Sequence, residues 1–239
     1  MAPADPSAPN SAPNSAPAND SPRELAVLVH GIASTRWIML PLAARLRRRG
    51  FDVRLLGYYS LTGSNRKLGA WLARNLRRIG SNGRRPRVHL VAHSMGSIVS
   101  RCALQEELPE NFGRVVMLGP PNGGSHMATF LERIYWFSGP LMELKDTPDS
   151  FVNRLPPAPA GVDIGVLAAK HDNVIAPDRT HLAGQRDHHV VNSWHTGILW
   201  RPETADYTAN FLRHGRFGGG SETQANNEPA NTPIACDTV

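Results

Sequence analysis

The chain has 239 residues, 41% of them apolar and 19% charged, a globular composition with enough length to bury a sizeable core. Its apolar runs fall far short of the roughly 18 residues that a membrane-spanning helix needs, and its two cysteines, Cys102 and Cys236, are too few for a disulfide framework or a four-cysteine zinc site. The formal charge is +6, from 26 basic and 20 acidic residues, which raises nucleic acid or an anionic surface as partners to be weighed.

Of residues 1–22, 19 are Pro, Ala, Ser or Asn, and Ser-Ala-Pro-Asn repeats in tandem from Ser7 and Ser11. Such a segment buries too little apolar surface to offset its ordering entropy, so a disordered tail is expected. It lacks the basic start and apolar stretch of a secretory signal, so a cytoplasmic location is expected. Residues 217–239 read the same way. One domain is left, 23–216. Both tails lack Lys and Arg and hold Asp5, Asp20, Glu222, Glu228 and Asp237, so the domain sets 26 basic against 15 acidic residues, a net charge of +11.

Glu24–His30 is a short apolar run ending in His-Gly, as suits a buried parallel strand. Trp37–Arg49 places Ile38, Leu42 and Leu46 at helical spacing and stops at Gly50. Phe51–Leu56 is a second strand. Leu68–Ile79 is a second helix, with Leu68, Trp71, Leu72 and Leu76 on one side. Arg87–Ala92 is a third strand, and Ile98–Gln105 lies in a third helix. Val115–Leu118, Val162–Ala168 and His189–Val191 are further strands, and Thr204–Arg213 is a final helix. Strand alternating with helix predicts the α/β class, with an about six-stranded, mostly parallel sheet and helices on both faces. Right-handed crossovers put the carboxyl ends of the strands along one edge, where ligands bind. Residues 126–160 break the rhythm and read as a short cap insertion over that edge. They carry Phe130, Leu131, Ile134, Tyr135, Trp136, Phe137, Leu141 and Met142, which either line an acyl pocket or pack their own apolar face on the core.

Val88–Ile98 is the most informative stretch. It runs strand, Ala92, His93, Ser94, Met95, Gly96, helix. A nucleophile elbow needs this order, because a serine on a tight, strained turn tolerates only small residues two places before and after it. Ala92 stands where Gly is usual. Ser94 also opens a helix, where outward N–H groups favour developing negative charge. An ordinary helix-capping serine is the bland alternative.

A serine hydroxyl needs a base, and the base needs a third group to fix its tautomer. The expected chain order is Ser, acid, His. Asp172 stands just past the fifth strand, and His195 just past the sixth. Asp163 starts its strand and so lies at the wrong end, while Asp178 and Asp187 are further from a strand end. His188 and His189 read as strand-entry residues, and His181 is a further neighbour. His30-Gly31-Ile32 follows the first strand, where a loop supplies one oxyanion-hole N–H, and the residue after the nucleophile supplies the other. The backbone amides of Ile32 and Met95 are therefore the candidates. His30 is expected to shape its loop, and His93 to be an elbow side chain rather than a second base.

Together these residues resemble the lipase/esterase branch of the α/β-hydrolase family. Val29-His-Gly-Ile32 is similar to the oxyanion loop of small bacterial triacylglycerol lipases, and Ala92-His-Ser-Met-Gly96 to the alanine variant of their elbow. Gly119-Pro-Pro-Asn-Gly-Gly-Ser125 is similar to the loop after their next strand, and His195-Thr-Gly-Ile-Leu199 to their catalytic-histidine segment. The resemblance spans roughly residues 25–215. It implies a minimal α/β-hydrolase fold without the first two strands of the full form, ester hydrolysis through an acyl-enzyme, a small-molecule or lipid ester as partner, and no organic cofactor. No metal site is assigned. The same triad serves an acyltransferase, in which an alcohol replaces water, and a catalytically silent binding scaffold is the alternative from another class.

Arg45, Arg47, Arg48, Arg49, Arg74, Arg77, Arg78, Arg84, Arg85 and Arg87 all precede Ser94, mostly at the ends of the first two helices. Cations there complement the helix dipole. No nucleic-acid motif accompanies them and interleaved aromatics are few, so nucleic acid is set aside. Contact with an anionic lipid interface is kept as their functional use.

Overall fold

A computed structural model describes residues 22–81, 85–125, 138–145, 147 and 149–218. Its strands are β1 (Leu25–Val29), β2 (Asp52–Leu56), β3 (Val88–His93), β4 (Phe112–Leu118), β5 (Ile164–Ala169) and β6 (Asp187–Val191). They form a six-stranded sheet in the order β2-β1-β3-β4-β5-β6, and every described pairing is parallel. The helices are α1 (Leu40–Arg48), α2 (Asn65–Gly80), α3 (Met95–Ala103), the short α4 (Gly139–Met142) and α5 (Pro202–His214). None of the described helices is long and apolar enough to cross a membrane.

The inner strands β1, β3 and β5 are buried along their whole length, which is why they read as near-continuous apolar runs. β2 is an edge strand and carries Asp52 and Arg54, with Leu56 alone buried. Side chains alternate across a strand, and this sorts the core into two layers. Val27, Val29, Leu90, Ala92 and Met117 meet Leu72, Leu76 and Ile98 of α2 and α3. Ala26, Leu28, Val91, Val116 and Leu167 meet Leu42, Leu46, Phe211 and Leu212 of α1 and α5.

Of the boundaries that differ from expectation, two have a clear physical cause. The first helix opens as a 3₁₀ turn over Arg36–Met39 before α1 begins. Pro41 has no N–H to return to Trp37, so the α ladder cannot start a turn earlier. Phe217, assigned to the tail, is buried against Phe211 at 4.9 Å, and its N–H donates to Asp187 Oδ2 at 2.7 Å. Residues 1–21 and 219–239 of the expected tails lie outside the described residues. So do residues 126–137 of the insertion, with Phe130, Leu131, Ile134, Tyr135, Trp136 and Phe137 among them. Of the described part, Leu141 joins the α2/α3 core layer, the packing alternative of the two. The Glu143 carboxylate accepts from the Asn65 N–H at 2.8 Å and from its Nδ2 at 2.9 Å, which fastens α4 to the start of α2, at the carboxyl edge of the sheet.

Candidate active site

Ser94 leaves β3 and caps α3 with φ 52° and ψ −127°. Among the described residues, Ser94 and Ala33 (φ 49°) are the non-glycine residues with positive φ, a conformation that costs on the order of 1–3 kcal/mol each. The turn is held on both sides: the Ser94 N–H donates to Leu118 O and the Ser97 N–H to Ser94 O, both at 2.9 Å. It also lies hard against the loop after β1. A Cβ on Gly96 would stand 2.5 Å from the His30 carbonyl oxygen, and one on Gly31 would stand 2.9 Å from Ser94 Cβ. The small residues around Ser94 thus have a steric cause in three dimensions. Ala92, at the position where Gly is usual, is fully buried in the core, and its methyl group fits there.

The Ser94 Oγ–H donates to His195 Nε2 at 2.9 Å, and His195 Nδ1–H donates to Asp172 Oδ2 at 2.6 Å. The acid fixes the tautomer, because an ionised carboxylate only accepts. The second oxygen of Asp172 is occupied too: Oδ1 accepts the N–H groups of Val174 and Ile175, each at 2.8 Å. The Asp172 side chain is wholly buried and that of His195 is 11% exposed. β3, β5 and β6 therefore bring Ser94, Asp172 and His195 to one edge of the sheet in a continuous relay. Such a relay lifts the proton from a hydroxyl as it attacks a carbonyl carbon.

The rival residues stand elsewhere. Asp163 pairs with Arg114 at 2.9 Å and Arg186 at 3.2 Å at the opposite edge. Asp187 accepts from the His188 and Phe217 N–H groups, and Asp178 lies in the 3₁₀ turn Pro177–Thr180. His181 and His188 stack on each other at 4.0 Å, and His189 lies against Tyr207 at 4.3 Å.

Met95 opens α3, so its N–H has no partner within the helix. The N–H of Ile32 makes no hydrogen bond among the described residues, and Gly31 beside it touches Ser94. Neither amide has a hydrogen-bond partner among the described residues, Met95 follows Ser94 directly, and Ile32 follows the Gly31 that packs against that serine. His30 shapes the Ile32 loop: its Nδ1–H donates to Gly31 O at 2.8 Å. Tyr58 is a partner that sequence reasoning missed. Its hydroxyl donates to His30 O at 2.7 Å and its ring stacks on the imidazole at 4.4 Å. Burial lowers the His30 pKa and raises that of Tyr58, so both remain uncharged near neutrality.

The structure gives partners to His93, expected to be an elbow side chain, and to Gly119 of the loop after β4. His93 Nε2–H donates to the His195 carbonyl at 3.1 Å, and burial pushes its pKa down to about 3, so it acts as a neutral strut for the His195 loop. Gly119 (φ +54°) follows β4 and presses on the acid–base pair. A Cβ there would stand 3.3 Å from His195 Nδ1 and 3.4 Å from Asp172 Oδ2. The Gly-Pro-Pro-Asn-Gly-Gly run marked this loop, but its contact with His195 appears only on folding.

A cleft of about 870 Å³ opens beside the Ile32 loop, lined among others by His30, Ala33, Arg36, Trp37, Tyr58 and Tyr59. Trp37 and Tyr59 on its rim are 57% and 87% exposed, and beyond β6 Trp194 and Trp200 are 65% and 59% exposed.

The family model described as the alpha/beta hydrolase fold matches residues 26–231. No curated protein matches the chain. Among solved structures, mature Bacillus licheniformis lipase BlEst2 superposes with a TM-score of 0.67 at 19% identity, over 82% of this chain and 94% of that one. Aspergillus fumigatus lipase B gives 0.65 at 15% identity, over 80% of this chain and 53% of that one. Phospholipase PlaB from Legionella pneumophila gives 0.65 at 14% identity, over 81% and 61%. At such identities the likeness is one of fold.

Proposed function

The chain belongs to the α/β-hydrolase fold family, and on that premise we propose that it hydrolyses carboxylic esters through a Ser94-bound acyl intermediate. The observation that carries this reading is the unbroken hydrogen-bond relay from Ser94 Oγ through His195 to the buried Asp172. His195 Nε2 takes the serine proton as Oγ attacks the ester carbonyl. Asp172 holds the imidazole ring and stabilises its charged form. The Ile32 and Met95 N–H groups receive the tetrahedral oxyanion, each contributing about 2.7–4 kcal/mol to lowering the barrier. His195 then protonates the leaving alkoxide, and water repeats the sequence to release the acid. The lipase and phospholipase names of the structural neighbours support acyl esters, lipid esters among them, as the substrate class.

Labelling with a fluorophosphonate and hydrolysis of p-nitrophenyl esters test the reading. The unaltered chain is expected to do both, and Ser94→Ala to do neither. Labelling that persists at another serine in that variant, or no ester turnover by the unaltered chain, overturns it. A panel of acyl chain lengths, measured with and without a lipid interface, then separates lipase from plain esterase behaviour.

A further inference from the structure

The cleft beside the Ile32 loop holds one feature that the relay does not use. Arg36 is exposed on its wall. Its aliphatic stem lies along Gly57, where a Cβ would stand 3.3 Å from Arg36 Cδ. Its guanidinium carbon sits 4.6 Å from the centre of the Trp37 ring. The side chain is thus positioned by packing and by a cation–π contact, and among the described residues it has no carboxylate partner. Among the described residues, none that lines this cleft is Asp or Glu. His30, the other ionisable base there, is held neutral by burial. A fixed cation in a wall without acids gives that wall one sign of charge. The loop from His30 to Trp37 carries both the Ile32 amide proposed for the oxyanion and Arg36, and His30, whose neighbour Gly31 packs against Ser94, lines the cleft as well.

We propose that Arg36 is the counter-ion for an anionic group on the substrate, so that the preferred ester carries a phosphate or carboxylate near its scissile bond. This rests on the ester-hydrolase reading and names the substrate class of the same site. A planar guanidinium meets either oxyanion through two parallel N–H donors. Trp37 behind it and Tyr59 on the rim give the remainder of such a substrate an apolar surface.

Two matched pairs of soluble esters test this. Mono-p-nitrophenyl glutarate against p-nitrophenyl butyrate places a carboxylate on the acyl side. Butyryl glycerol-3-phosphate against monobutyrin places a phosphate on the alcohol side. In at least one pair the anionic ester is expected to exceed the neutral one about tenfold in kcat/KM, chiefly through KM, and the pair that responds identifies the side and the group. Arg36→Gln is expected to lower that ratio about tenfold, Arg36→Lys to retain part of it, and 0.5 M NaCl to reduce it in the unaltered chain. Equal rates within both pairs, or a preference that survives Arg36→Gln, overturns the assignment of Arg36 while leaving ester hydrolysis standing. Absence of turnover with all four esters overturns the ester-hydrolase reading itself.

Discussion

At the carboxyl edge of the sheet, Ala33 and Ser94 hold positive φ without being glycine, and Trp37, Tyr59, Trp194 and Trp200 stand exposed. At the amino edge the positive-φ positions Gly50, Gly161 and Gly215 are glycines, which adopt such angles without strain, and half-buried and exposed arginines stand among them. Several of those arginines hold chain ends together. Arg114 donates to Asp163 Oδ2 at 2.9 Å and to the last carbonyls of α5, Leu212 O at 3.0 Å and Arg213 O at 3.1 Å. Arg186 donates to Gly215 O, Arg49 pairs with Asp206 at 2.7 Å, and Arg85 pairs with Asp52. One edge therefore stores strain where chemistry is proposed, and the other spends charge on closing helix ends. Among the described residues, Arg45, Arg47, Arg48, Arg77 and Arg78 stand in the last turns of α1 and α2 and Arg85 pairs with Asp52, on the edge away from Ser94. An anionic surface held there would face the wrong end of the sheet to deliver an ester to the serine.

That contrast can be broken by experiment. Asp172→Asn is expected to cost about 10⁴ in kcat by imposing the wrong tautomer on His195, while moving the urea midpoint little; a comparable loss of both would make the carboxyl edge structural as well. Gly119→Ala adds a methyl group at φ +54° against His195 and Asp172. A roughly 10- to 100-fold loss of kcat is expected from the displaced imidazole, and unchanged kinetics would show that the pair has room to yield. At the amino edge, Arg114→Ala is expected to lower stability by about 1–2 kcal/mol through the lost ion pair and carbonyl contacts, with kcat unchanged. A fall in kcat there would tie the two edges together.

The smallest expected effect is in pH dependence. Burial holds His93 neutral in the fold down to about pH 3, whereas the unfolded chain protonates it near pH 6.5. The unfolded state thus binds the extra proton, so the stability that a neutral His93 provides is complete above about pH 6.5 and is lost as pH falls toward 3. Between pH 7 and 5.5 the loss is about 1 kcal/mol from this group. His93→Gln keeps a donor for the His195 carbonyl and should flatten the slope of urea-derived stability against pH by that amount. An unchanged slope would mean that His93 is not held neutral.

Much of the site is legible in the sequence because its rules are local. Ala92-x-Ser94-x-Gly96 encodes a tight turn by steric need alone, and Asp172 and His195 follow from strand ends taken in chain order. What is not legible depends on partners brought together by the sheet. Gly119 matters because β4 lies beside β5, which sets its Cα against His195 and Asp172. Tyr58 supports the Ile32 loop because β2 pairs with β1, and His93 reaches the His195 carbonyl across the sheet edge. Phe217 falls in a glycine-rich, polar run that reads as tail, yet the aromatic pocket of Phe211 and Tyr207 accepts it. The six strands, their parallel sense and the helix positions come through because buried parallel strands and amphipathic helices differ in period. The 3₁₀ opening of the first helix depends on one missing N–H at Pro41 and falls below that resolution.

The sheet order β2-β1-β3-β4-β5-β6 also sets a timetable. Ser94 follows β3, but His195, its proposed base, follows β6, three strands further across and 101 residues later in the chain. β4, β5 and β6 must each add in register before His195 stands opposite Ser94, so the proposed nucleophile exists long before anything can activate it. During synthesis from the amino terminus, a chain that has emerged only through α3 carries an idle serine. Recovery of ester turnover after dilution from denaturant would then trail the first return of helix signal, and its rate would report closure of the last strand pair.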